Sequence, residues 1–315
     1  MFDPVDASLI FKSTQTEDPR LGNYLKTKVT SQRGTVILGY PDDTGTLNSK
    51  GRAGSRLAPD GIRRFFYKMT PPLLSKTEEH LLTDIGNLKI EGELKTRHQR
   101  AEKKALELLL LGHNLITLGG SHDYGYADGA AFLKSFGEQK PVVINFDAHL
   151  DVRPVKNEIS SGTPFRRLLE DFSDFDFYEI GIQSQCNSQQ HLRWAREKGA
   201  NILFYDELLL GSKSEEEAQL EFLSDVLVRK RPVFLSVDID AFSSFAAPGS
   251  SQNFPTGLDV KAFLKVLHII TQRADVKILG IYEVAPTVDV GEITQKLSAI
   301  IMHRFYQAQL EKLSK

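Results

Sequence analysis

Cysteine is almost missing from this chain. Cys186 is the single one among 315 residues, which excludes an intrachain disulfide and fits a reducing compartment. Long hydrophobic runs are missing too, and no stretch approaches the ~20 apolar residues of a membrane span. The opening segment, MFDPVDASLIFKSTQTEDPR, has no basic stretch followed by an apolar one, so no secretory leader is expected. Neither sign of charge dominates: 39 Lys+Arg against 41 Asp+Glu leave a formal net charge of −2. Nucleic acid and membrane surfaces are therefore not expected as partners. Internal repeats and low-complexity linkers are also absent. These absences together describe a soluble cytoplasmic protein.

Apolar residues make up 41% of the chain, enough for a large core. Its length suits one domain over residues 1–315, since many α/β folds reach this size as one unit. Short apolar runs read as strands at 35–40, 83–90 (weakly), 114–118, 142–146, 177–182, 201–205, 233–237 and 276–282. Helical patterns lie between many of them: one opening near Pro59, then 98–111, 258–272 and 293–313. Ser214 with Glu217 resembles a capping box before another helix. Strands alternating with helices imply a mainly parallel sheet covered on both faces. The Gly-rich stretch 41–58 is long for a loop inside a compact domain, which favours a functional role.

Polar clusters recur at strand carboxyl ends, where open α/β sheets bind ligands. NLITL runs into Gly119, Gly120, Ser121 and His122. VVINF runs into Asp147, His149 and Asp151. VFLSV runs into Asp238 and Asp240, and VKILGIY into Glu283. In extended backbone, Asp147, His149 and Asp151 would point the same way. Each alone has a bland reading: a satisfied histidine, a helix cap, a solvated acid. Together at one rim they would repel or desolvate one another unless something positive sat between them. Four aspartates carry −4, which two divalent cations balance, and two imidazoles add neutral nitrogen. Oxygen and imidazole donors without thiolate suit Mn²⁺, ahead of Zn²⁺, Fe²⁺ or Co²⁺. Two such metals would hold a bridging hydroxide as a nucleophile at neutral pH. Glu283 opposite them would bind a cationic amidinium or guanidinium better than a phosphate.

At this point the sequence resembles the ureohydrolase family: arginases, agmatinases and formimidoylglutamases. The carrying segments are LGGSHD (118–123), NFDAHLD (145–151), SVDIDAFSSFAAPGS (236–250), YEVAP (282–286) and the loop 42–63. The resemblance implies a three-layer α/β/α sandwich around a mainly parallel, roughly eight-stranded sheet, with two Mn²⁺ per subunit. It implies that His122, Asp147, Asp151 and Asp238 hold one metal. It gives Asp147, His149, Asp238 and Asp240 to the other, so that Asp147 and Asp238 bridge. Asp151 would also relay a proton to the leaving nitrogen, and Glu283 would bind the amidine or guanidine end. Oligomers of identical chains are common in the family, so a homo-oligomer is expected.

Within the family the chain is most similar to formimidoylglutamases, through Asp151-Val152-Arg153, SSGTPFR (160–166), GIQSQCN (181–187), MFDP and DPRLG. That implies hydrolysis of N-formimino-L-glutamate to L-glutamate and formamide in histidine breakdown. A dicarboxylate substrate wants cationic or donor-rich partners, for which Arg153, Arg166, Arg52 and Asn187 are candidates. Surface arginines or helix-end ion pairs are the alternative for these. Ser161 stands where arginases carry a proton-shuttling histidine, which counts against arginase itself. A guanidine hydrolase releasing urea is the alternative, and a non-catalytic protein on the same fold is a more distant one. A single-metal deacetylase would leave Asp and His of DAHLD surplus. His80, His98, His113, His191, His268 and His303 fall outside the motifs and read as structural or exposed.

Overall fold

A computed structural model describes residues 1–72 and 81–313. Among these, nine strands form one sheet in the order β1-β3-β2-β4-β9-β8-β5-β6-β7. They are β1 (Phe2–Asp3), β2 (Thr35–Gly39), β3 (Leu82–Leu88), β4 (Asn114–Leu118), β5 (Val142–Phe146), β6 (Asp176–Ile182), β7 (Asn201–Phe204), β8 (Pro232–Asp238) and β9 (Asp275–Tyr282). Every pairing is parallel except β1 against β3. The eight expected strands are all present. The ninth, β1, is too short to show an alternating pattern and exists because β3 offers it an edge.

The central strands bury both faces, so successive side chains enter two different cores. Along β8, Val233, Leu235 and Val237 enter one core with Ile62, Phe263 and Phe305. Phe234 enters the other with Ala105, Phe132 and Phe165. Helices Ala58–Phe66, Val260–Arg273 and Ile293–Leu313 cover the first face. Helices Leu94–Leu110, Tyr124–Phe136 and Pro164–Asp171 cover the second. This is the expected α/β/α sandwich.

Local starts and stops follow the sequence. Pro59 occupies the first turn of its helix, where a missing N–H costs nothing. Ser214 and Glu217 form the expected capping box. The segment after it divides into Glu215–Phe222 and Ser224–Arg229, instead of one continuous helix. The expected loop at 41–58 carries a short helix, Thr44–Asn48, and a 3₁₀ turn, Ser55–Leu57.

Candidate metal centre

The four strands that end in acids or imidazoles are consecutive neighbours, β4-β9-β8-β5. Their carboxyl ends therefore meet without any long connection. His122 follows β4 through two glycines that must stay glycines. A Cβ on Gly119 would lie 2.2 Å from the Tyr282 ring, and one on Gly120 would lie 2.0 Å from the Asp42 carbonyl oxygen.

The segment 147–151 is not extended, contrary to the sequence reading. β5 ends at Phe146, and the chain curls. The His149 amide donates to Asp147 Oδ1 at 2.7 Å, forming an Asx turn. The Asp240 amide donates to Asp238 Oδ1 at 2.9 Å, which is the same device at the end of β8. Each aspartate thus spends one oxygen on its own chain and brings the side chain two residues on back beside it. This is the physical content of the two-residue spacing. Asp151 and Glu283 take positive φ, +48° and +61°. A side chain there costs about 1–3 kcal/mol, a strain typical of functional positions.

His122 Nδ1 lies 3.3 Å from Asp147 Oδ2, 3.0 Å from Asp151 Oδ2 and 3.1 Å from Asp238 Oδ2. His149 Nδ1 lies 3.5 Å from Asp147 Oδ1 and 3.3 Å from Asp240 Oδ2. The ligand atoms fall into two groups, His122/Asp147/Asp151/Asp238 and Asp147/His149/Asp240, which share Asp147. Asp238, expected in both, falls in the first. No lysine or arginine balances these acids among the described ion pairs. His122 Nδ1 and Asp240 Oδ1 are buried without hydrogen bonds. An orphaned imidazole nitrogen ringed by three carboxylates fits a hard divalent cation, and mixed N/O donors without sulfur fit Mn²⁺.

The electrostatics report the same need for positive charge. Burial would discharge both imidazoles, yet the surrounding carboxylates hold His122 and His149 well above the ordinary histidine range. Burial, then Asp240 and Asp147, push Asp238 up. Burial and Asp147 raise Asp151. Burial would raise Asp147 too, but the two imidazoles beside it bring it below the carboxylate range. Protons here do what cations would do.

Glu283 lies across the same cavity. Its carboxylate accepts from Thr46 Oγ1 at 2.9 Å and from the His122 amide at 2.9 Å, and burial lifts it to about 7. Thr46 comes from the helix inside the 41–58 loop, which is how that loop enters the site. The cavity measures about 120 Å³, and Ser161, Arg153 and Gln252 help to line it.

The four candidate substrate residues part company. Arg153 lines the cavity mouth. Arg52 instead donates to the Ser250 and Ser251 carbonyls, pinning the loop after β8. Arg166 pairs with Glu170 at 2.5 Å and stacks 3.6 Å over Trp194. Asn187 donates to the Ala148 and Gln183 carbonyls and accepts from the Leu150 amide. Its amide therefore ties down the 147–151 curl.

Beneath the acids lies a row that sequence reading missed. Thr117, Ser236, Asn145 and Glu179 stand in register on β4, β8, β5 and β6, with Gly280 of β9 between the first two. Ser236 Oγ lies 2.8 Å from His122 Nε2. Asn145 Nδ2 donates to Asp147 Oδ2 at 3.2 Å and to Glu179 Oε2 at 2.9 Å. Their sequence signal is a polar residue in an otherwise buried strand, and Ser236 and Asn145 each stand two residues before a key aspartate, Asp238 and Asp147. His98 is buried against Asp123 at 2.6 Å, and His80 lies outside the described residues.

A model of the arginase family matches residues 33–307. A formimidoylglutamase of Staphylococcus carnosus is 31% identical over 284 residues, covering 89% of this chain and 88% of that one. One from Staphylococcus aureus is 32% identical over 274 residues, covering 86% and 85%. A crystal structure of Trypanosoma cruzi formiminoglutamase with two Mn²⁺ superposes with TM-score 0.83 at 25% identity, covering 93% of this chain and 99% of that one. The family model's match over residues 33–307, relatives above 30% identical along most of the length, and the paired acid groups at the sheet's centre make this chain a member of the arginase family.

Proposed function

We propose that this protein is a binuclear-manganese hydrolase that cleaves N-formimino-L-glutamate to L-glutamate and formamide. The observation that carries the reading is the pair of acid and imidazole groups sharing Asp147, set across a small cavity from the Glu283 carboxylate. Relatives named formimidoylglutamase, over 30% identical along most of the chain, support the substrate.

His122, Asp147, Asp151 and Asp238 would hold one Mn²⁺, and Asp147, His149, Asp240 and Asp238 the other. When bound, two such cations supply an activated water and polarise the carbon under attack. Glu283, held by Thr46 and the His122 amide, orients the cationic amidine by charge-assisted hydrogen bonds. Asp151 offers the carboxylate from which a proton reaches the departing nitrogen. Arg153 at the mouth takes a substrate carboxylate with its planar fork. Arg52 and Asn187 act through the loops they fix, and Arg166 through its stack on the helix Gln189–Glu197.

The same reading extends to one catalytic unit over 1–315 that assembles with copies of itself, a use for exposed Phe245 and Leu210. The lone thiol of Cys186 suits action in the cytoplasm.

The test is a product assay of Mn²⁺-reconstituted protein with N-formimino-L-glutamate, arginine and agmatine in parallel. Formamide and glutamate from the first alone are expected. Urea from either guanidine would overturn the substrate assignment.

A further inference from the structure

We propose that the groove between the loop after Asp151 and the helix Gln189–Glu197 is a second, outer anion site. It captures a small dicarboxylate next to the catalytic cavity. The choice of ligand rests on the substrate reading above.

The groove holds about 820 Å³ and is lined by Arg153, Lys156, Arg166, His191, Arg193 and Trp194, with Glu197 as its acid. Arg153 also lines the catalytic cavity, so the two spaces share a wall. Arg166 is spoken for by Glu170 and by its stack on Trp194. Among the described residues, Arg153, Lys156 and Arg193 have no carboxylate in ion-pair range. Three uncompensated cations round one concavity are notable on a chain of net charge −2. Such a concavity focuses field lines and raises the local concentration of anions.

The cations act on one another through the groove. His191 is lowered first by its own burial, and then by Arg153, Arg166 and Lys156. Glu197 is the one acid lining the groove against that positive potential. Gly162 serves the same wall: a Cβ there would lie 2.8 Å from Arg153 Cδ, so the glycine gives the Arg153 stem its path between groove and cavity. A molecule with two carboxylates can engage Lys156 and Arg193 outside before its amidine end reaches Glu283. A substrate with a single carboxylate has less to gain there. The outer site thus adds selectivity ahead of the chemistry.

Trp194 is the only tryptophan, so its emission reports this groove directly. The experiment titrates the Mn²⁺-loaded protein with L-glutamate, with glutarate and with neutral glutaramide, at low and at physiological ionic strength. The expected result is a saturable change in Trp194 emission with both dicarboxylates, weaker at the higher salt, and none with glutaramide. In Arg193→Glu and Lys156→Glu the apparent affinity falls about ten-fold or more, and Arg193→Lys restores most of it. Emission that ignores dicarboxylates, or responds equally in Arg193→Glu, would overturn the proposal. Because the readout needs no turnover, failure to hydrolyse N-formimino-L-glutamate would sink the catalytic reading and leave this result intact.

Discussion

Ser236 Oγ lies 2.8 Å from His122 Nε2, on the side of the ring away from the acids. With Oγ accepting, the imidazole proton sits on Nε2 and the Nδ1 lone pair faces Asp147, Asp151 and Asp238. One hydroxyl in a buried strand therefore sets the tautomer of a metal-facing histidine. Ser236→Ala leaves the Nε2 proton buried without an acceptor. The expected outcome is a Mn²⁺ affinity about 10–100-fold weaker, read by titrating metal-free protein. Unchanged affinity would mean that the ring is held by its stacking on Tyr282 and its edge contact with Phe165 alone.

Asn145 links two acids that would otherwise repel. Its Nδ2 donates to both Asp147 and Glu179, and Glu179 is fully buried and pushed well above the carboxylate range by burial and then by Asp147. That shift favours the neutral acid in the native state. Glu179→Gln is accordingly expected to leave stability at neutral pH within about 1 kcal/mol. Glu179→Ala opens a cavity and strips Asn145 of a partner, at a cost of about 2–4 kcal/mol. Denaturant unfolding of both variants checks the pair, and equal losses would contradict a neutral Glu179.

Much of this was legible in the sequence. Most of the eight strands showed as apolar runs because they are buried on both faces, the half-buried edge strand β7 showed through Ile202, Leu203 and Phe204, and only β1, two residues long, carried no pattern. The six ligand candidates stood out because acids at four strand ends break that apolarity together. The missing part was geometric. Spacing in Asp147, His149 and Asp151 suggested an extended strand, whereas the chain curls there through an Asx turn from Asp147 to His149. Arg52, Arg166 and Asn187 carry suitable groups, but which carbonyl, acid or ring each one meets is set by chain segments far away in sequence. Thr46, distant from Glu283 by most of the chain, could not be paired with it from spacing at all.

Arg63 tests the sheet's other end of polar burial. It is fully buried, and its guanidinium grips Asp84 through Nε at 2.8 Å and Nη2 at 2.9 Å. Tyr67 donates to the same carboxylate at 2.5 Å. Arg63→Ala leaves Asp84 charged and buried, so a loss of about 3–5 kcal/mol is expected by denaturant unfolding. Arg63→Lys is expected to recover only part of it, since an ammonium cannot reproduce the fork. A loss under about 1 kcal/mol in Arg63→Ala would show that water replaces the guanidinium.

Asp128 gives stability a pH dependence of its own. Its carboxylate accepts from Tyr40 at 2.7 Å, Thr117 at 2.7 Å and Tyr282 at 2.6 Å. Burial nevertheless dominates over these three donors and raises the group from 3.8 to about 6. Between those values the native state holds a proton that the unfolded chain has released, so stability falls as pH rises through this window. The full effect is about 3 kcal/mol, present below pH ~4 and lost above pH ~6. Asp147 and other depressed carboxylates act in the opposite direction, so the comparison needs a variant. Asp128→Asn mimics the neutral acid in shape, and its unfolding free energy relative to the parent should rise with pH from about 4 to about 6.5 and then level off. A difference that is flat across that range would place the Asp128 carboxyl at its ordinary value. Tyr282 stacks 4.7 Å from the His122 ring while donating to Asp128. The same substitution therefore loosens one wall of the metal centre, and Mn²⁺ affinity measured alongside should weaken less than in Ser236→Ala, which breaks a direct bond to the ring.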